Sequence, residues 1–337
     1  MQPPPPDIQQ THVVTQFVHD SPLIACRFEP QGLFVFSTAE DNKIQRWELA
    51  GGRKTVLAGH DSWVWCLGAT ADGQTLLSGG GDGRLIWWPC AAETPVPART
   101  IEAHQGWVRC LTLSPNGQQV ATGGNDRIVR VWNLADGSIA QEFAGHEVPV
   151  YSLLWHPGGQ SLLSGDLRGN VKQWDLATAA VARAFDAKAL HSFNGGQQVD
   201  FGGVRGMALS PDGKYFACAG LYKAENPFGA VLEPLVLLFE WESQKLVQQH
   251  IAEGLKGPMW RVQYLADGTL VGVMGGSSGG FLLFWKPDQA KEVHRFGLPT
   301  LARDMDLHPD GLQIATSHSD KHLRLSTLAM KPAQAAG

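Results

Sequence analysis

Apolar residues in this chain fall into short, evenly spaced runs rather than long helical stripes. In the clearest stretch, Ala103 to Trp132, a run from Val108 to Leu113 stops at Ser114-Pro115-Asn116-Gly117. A second run, Gln119 to Thr122, stops at Asn125-Asp126, and the alternating segment Ile128 to Trp132 closes the unit. Runs of this length bounded by Gly, Pro, Asn and Asp read as strands joined by tight turns. Residues 60 to 88 repeat the phrase with His60, Gly73, Ser78, Asp82 and Trp88. The intervals agree to the residue: His60 to Asp82 and His104 to Asp126 both span 22 positions, and each Asp-to-Trp step spans 6. The pattern predicts strands throughout and needs no helix.

Seven turn glycines, Gly32, Gly73, Gly117, Gly159, Gly213, Gly268 and Gly311, mark seven copies. A period of about forty residues built from short strands signals a propeller of stacked four-stranded sheets. Six copies end their last inner strand in tryptophan (Trp47, Trp88, Trp132, Trp174, Trp241, Trp285), and the seventh has Ser326 there. With Gly59-His60, Gly145-His146 and Trp174-Asp175, the pattern resembles the WD-repeat family over roughly residues 11 to 328. The expected fold is all-β, a seven-bladed β-propeller of four-stranded antiparallel sheets.

Each internal copy has a run after its tryptophan, such as Thr55 to Leu57 or Ala140 to Phe143, that supplies an outer strand. After Leu328 only a short tail remains. The last sheet is one strand short unless Thr11 to Val18 comes round to complete it, which pairs an otherwise open edge. This closure is similar to that of WD-repeat propellers. The expected organisation is a disordered proline-rich lead over 1–10, the propeller over 11–329 and a disordered tail over 330–337. Two insertions flank copy five, Lys188 to Gly203 and Leu221 to Pro234, and long loops of this kind often carry function. Gly275 to Gly280 reads as a flexible hairpin, since no Lys-Ser/Thr and helix follow it as in a phosphate cradle.

Composition narrows the function classes. The net charge of -5 argues against nucleic acid, whose partners usually carry a basic face. No apolar run reaches the length of a membrane helix and the start lacks the order of a signal peptide. We therefore expect a soluble cytoplasmic protein, with the nucleus left open. The five cysteines form no Cys-x-x-Cys pair and read as small strand residues of the core.

The recurring His, Ser/Thr and Asp invite comparison with a hydrolase triad, but catalysis needs one such set beside an oxyanion hole, and here there are several. The resemblance implies instead a structural chain from indole through hydroxyl and imidazole to carboxylate. Its members are His19, Ser37, Asp41 and Trp47; His60, Ser78, Asp82 and Trp88; His104, Thr122, Asp126 and Trp132; and His146, Ser164 and Trp174, with Arg168 in the aspartate slot. Copies five to seven put Asp200, Leu255 and Leu298 where the histidine belongs, although Thr316 and Asp320 survive in copy seven, so these blades are expected to rely on packing. His318, Asp320 and His322 lie across a tight turn rather than on one helix face, so no metal site is expected.

The resemblance also implies that residues three and five positions beyond the histidine slot face the top of the central channel. They include Trp63, Trp65, Trp107, Arg109, Tyr151, Arg205, Trp260 and Arg303, types enriched at binding hot spots. The expected function is a non-catalytic interaction scaffold, monomeric by itself and without cofactor. It would bind a protein or peptide on the top face, one carrying an apolar anchor and an acidic or phosphorylated group. The competing reading is a small-ligand or enzymatic propeller with its site at the channel mouth under the copy-five loops, drawing on Glu40, His191, Glu225 and Asp304.

Overall fold

The computed structural model describes residues 6–223 and 232–330. The strands form seven antiparallel four-stranded sheets, and neighbouring sheets pack face to face to close a ring. Blade one is Leu23–Phe28, Phe34–Ala39, Ile44–Glu48 and Lys54–Leu57. The innermost strands of blades two to six are Val64–Ala69, Val108–Leu113, Val150–Trp155, Gly206–Leu209 and Met259–Tyr264. Blade seven is Ala302–Leu307, Gln313–His318 and His322–Thr327, completed on its outer side by His12–Val18.

That closing strand runs antiparallel to the last strand, from His12 opposite Thr327 to Val18 opposite His322. Phe17 anchors it: the ring is buried and stacks on Trp47 of blade one at 5.3 Å. The seam is also clasped near the channel, where Asp304 and Asp306 of blade seven accept the Cys26 and Phe28 backbone N–H groups of blade one at 3.1 and 2.9 Å.

Each apolar cluster spans two neighbouring blades, as the residue pattern requires when one sheet cannot bury both faces alone. Leu163, Phe185, Phe216, Phe239 and Trp241, for example, join blades four and five. All five cysteines are buried and free. No helix among the described residues is long and apolar enough to cross a membrane.

The structure changes the reading of copy five. Its central strands lengthen to eight residues each, Tyr215–Tyr222 and Glu233–Glu240. Phe239, opposite Phe216, holds the slot that tryptophan fills elsewhere. Trp241 lies just beyond the strand, in the place of Leu134 in blade three, and stacks on His156 at 5.2 Å. The first insertion is ordered: a 3-10 turn, Lys188–Leu190, leads into a separate hairpin, His191–Asn194 paired with Val199–Gly202. Within the second insertion, residues 224–231 lie outside the described residues, as do 1–5 and 331–337 of the expected lead and tail. The glycine run of copy six is a tight hairpin, Gly276 opposite Gly279. A Cβ on Gly275 or Gly280 would strike the backbone of Thr300 to Ala302, so close passage of that chain requires glycine.

Candidate functional site

Two sets of polar and aromatic side chains recur from blade to blade, one inside the blades and one around the channel. Within blade two, Trp88 donates its indole N–H to Ser78 Oγ at 2.8 Å. Ser78 donates to His60 Nε2 at 2.7 Å, and His60 Nδ1 donates to Asp82 at 3.0 Å. Blade three repeats this through Trp132, Thr122, His104 and Asp126, each step 2.8 Å. The hydroxyls and imidazoles are buried, and none of these groups lines the channel cavity. A chain in which each group both gives and receives fixes the hairpin's geometry.

The carboxylates register these bonds. Burial alone would raise the Asp126 carboxyl, but hydrogen bonds from His104 and Arg130 hold it well below the usual carboxylate range. Against the same burial, His60 and backbone N–H groups lower Asp82.

Blade one lengthens the chain. Trp47 donates to Ser37 at 2.9 Å, Ser37 donates to Gln45, and Gln45 Nε2 meets His19 Nε2 at 3.1 Å, which in turn faces Asp41.

Two assignments made from spacing are corrected. In blade four, Trp174, Ser164 and His146 bond as elsewhere, but the carboxylate is Asp166, 2.9 Å from His146 Nδ1. Arg168 is not in the chain; it reaches out to Asp200 of the inserted hairpin, which also accepts from His191. Asp166 stands where blades two and three have Gly80 and Gly124, positions at which a Cβ would run into the His60 or His104 ring. An acid in place of that glycine was the available signal.

In blade seven, which was expected to rely on packing, His318 takes the imidazole's part from within the strand. Its Nε2 lies 2.8 Å from Thr316 Oγ1 and its Nδ1 faces Thr300, while Asp320 pairs with Arg324 as Asp126 does with Arg130. His322 turns to Asp320 instead, so the two histidines do not aim at one point.

Around the channel, local strand geometry places the second set. Val64 pairs with Gly80 and Cys66 with Gly79, leaving Trp65 as the unpaired residue of a bulge. Arg109, Tyr151, Trp260 and Arg303 occupy the same bulge in blades three, four, six and seven. A bulge turns its extra residue out of the sheet's alternation, here towards the channel mouth.

The result is a continuous stack. Trp63 lies against Trp65 at 5.6 Å, and Trp65 on Trp107 at 5.1 Å. The Arg109 guanidinium lies over Trp107 at 4.7 Å and over Tyr151 at 4.3 Å; that of Arg205 lies over Tyr151 at 4.4 Å and over Trp260 at 5.6 Å. Arg303 of blade seven is not part of the stack and instead forms an ion pair with Glu40 of blade one at 2.6 Å. Seven of the eight residues line one cavity of about 490 Å³; Trp107 stands outside it, 38% exposed, and Trp63 at its edge is 40% exposed. Below them, Asp304 pairs with Arg261 and Arg27.

Of the groups in the enzymatic reading, Glu40 and Asp304 both line the cavity, and neither is a free acid. Glu40 and Asp304 are each held by arginines, His191 belongs to the hairpin beside Asp200, and Glu225 lies outside the described residues.

Three stretches, residues 51–89, 95–133 and 137–175, are matched by the family model described as WD domain, G-beta repeat. An 86-residue stretch is 28% identical to U3 small nucleolar RNA-associated protein 12 of Saccharomyces cerevisiae, covering 25% of this chain and 9% of that protein. The chain thus matches a small part of that relative's length.

Proposed function

We propose, from the premise of three WD-repeat matches on a seven-bladed propeller, that the chain is a non-catalytic scaffold that docks a protein or peptide partner on the top face of its propeller. The contact surface comprises Trp63, Trp65, Trp107, Arg109, Tyr151, Arg205, Trp260 and Arg303. The observation that carries this reading is the unbroken stack of indoles, phenol and guanidiniums at the channel mouth, with two tryptophans left exposed at its rim.

Stacking holds these large side chains before any partner arrives, so binding loses little further rotamer entropy. Indole and guanidinium are also the groups that most often dominate binding energy when desolvated. The local likeness to a protein named for its association with a small nucleolar RNA supports looking for partners within ribonucleoprotein assemblies, in the nucleus as well as the cytoplasm.

The test is affinity purification from the native cell, identification of the main partner, and repetition with the double substitution Trp63→Ala, Trp107→Ala. Capture of that partner is expected to fall by about tenfold or more with the melting temperature unchanged. Undiminished capture overturns the assignment of this face.

A further inference from the structure

The charges around the cavity do not balance evenly. Five arginines line it, Arg27, Arg109, Arg205, Arg261 and Arg303, against two carboxylates, Glu40 and Asp304. Arg303 is matched by Glu40, Arg261 by Asp304, and Arg27 by Asp306 just below at 2.7 Å. Arg109 and Arg205 are left with no carboxylate partner among the described residues. Arg109 donates one hydrogen bond, from Nε to the Asn125 side-chain oxygen. Arg205 has no hydrogen-bond acceptor among the described residues, and its Nε is buried without a partner. Close by, the Trp65 indole N–H is likewise buried and unpartnered.

A desolvated guanidinium without a counter-charge is costly, and burial accordingly lowers the pKa of both arginines. Cation–π contact with Tyr151 and its neighbours offsets only part of this. The unmet donors sit on one side of the mouth, at blades two to five, and the surplus of two positive charges lies there on the shared Tyr151 ring. Blades six, seven and one are internally neutralised.

We propose that Arg109 and Arg205 form a seat for one doubly charged oxyanion, a phosphate monoester. The inference rests on the reading of the top face given above and adds which chemical group enters and where. Two guanidiniums supply paired donors to a tetrahedral oxyanion, and a dianion cancels the surplus that a carboxylate would leave half uncancelled. Trp65 and Trp107 flank the seat and accept whatever apolar group carries the phosphate. Arg303, already engaged by Glu40, takes no part.

The experiment uses the full chain and the variants R109Q, R205Q and, as a control away from the channel, R53Q, whose arginine pairs with Glu48 on the surface. Inorganic phosphate, phenyl phosphate and phenylacetate are titrated by tryptophan fluorescence and by calorimetry. In parallel, two degenerate peptide libraries, one with a fixed phosphoserine and one with serine, are panned against each protein. Phenyl phosphate is expected to bind saturably and more weakly as salt rises, and R109Q or R205Q to weaken it by about tenfold or more, with R53Q within about twofold. R205Q should melt no lower than the parent, because it removes an unmatched charge; a purely structural arginine would give a lower melting point.

Retention of the phosphoserine library alone identifies a phosphorylated side chain as the source. Binding of inorganic and phenyl phosphate with both libraries silent supports the seat and identifies a small phosphorylated compound instead. The proposal is overturned if phosphates do not bind, if phenylacetate binds equally well, or if R109Q and R205Q change nothing. If phosphate fails while partner capture still depends on Trp63 and Trp107, the docking face stands and the seat does not.

Discussion

Trp88 and Trp285 fill the same slot in blades two and six and both are fully buried, yet only Trp88 has an acceptor for its indole N–H. Gly272 stands where blade two has Ser78, and Met259 packs against the vacancy so closely that a side chain on Gly272 would strike its sulfur. Removing an unmet buried donor should cost less than removing a satisfied one. We expect Trp88→Phe to destabilise the protein more than Trp285→Phe by about 1 kcal/mol, measured by urea denaturation. Equal losses would show that the hydroxyl–indole bond adds nothing beyond volume. Two histidines at this scale are held neutral: burial lowers His250 and His318 to about 4, the latter helped by Arg324. The unfolded chain takes up these protons near pH 6.5, before the native one does. Stability is therefore complete above pH 6.5 and falls as the pH drops towards 4. His318→Gln should remove about one proton's share of that slope, roughly 1.4 kcal/mol per pH unit at its steepest, in urea midpoints taken across this range. A second decline belongs to the carboxylates. Asp82, Asp126 and Asp166 are lowered in the native state, so their contribution is present above the unfolded carboxyl's range and lost as the pH falls below about 4 towards their native values.

Among the elements, the inner hairpins of blades one to four were legible because the turn glycine, the hydroxyl and the tryptophan keep fixed intervals there. Blade five escaped that rule because its paired strands are two or more residues longer, which shifts the tryptophan slot to Phe239 while Trp241 moves out onto His156. Asp166 was passed over for a different reason: counting assigns a position, whereas a histidine ring can be met from either of two positions around one turn. His318 approaches Thr316 from the same strand, an arrangement with no counterpart in the earlier copies to compare. At the channel, the residue types were readable but the bulges were not, so the stack of Arg109 and Arg205 on Tyr151, and the capture of Arg303 by Glu40, emerged only in three dimensions. The closing strand carries its own prediction. Phe17→Ala removes a buried ring stacked on Trp47 and should cost about 3 kcal/mol or more, read from the urea midpoint. A loss under about 1 kcal/mol would mean that hydrogen bonds to the last strand hold the closure without it.

For the molecule as a whole, a ring has no end blade, so every sheet has a neighbour on both faces. Deleting residues 1–18 would leave His322–Thr327 with an unpaired edge and strip Phe17 from Trp47. Exposed edges pair with other chains. The truncated protein should therefore self-associate with rising concentration and unfold in a broader transition, by sedimentation and calorimetry; a monomer melting as sharply as the parent would contradict the role given to that strand. The order of synthesis adds a further constraint. His12–Val18 leaves the ribosome about three hundred residues ahead of the strand it must join, so it waits, unpartnered, until the blades between them have emerged. Blades two to six can assemble as they appear, each on the one before. The closing step comes only once His322–Thr327 has been made, and a factor that shields His12–Val18 until then would set the yield of closed rings.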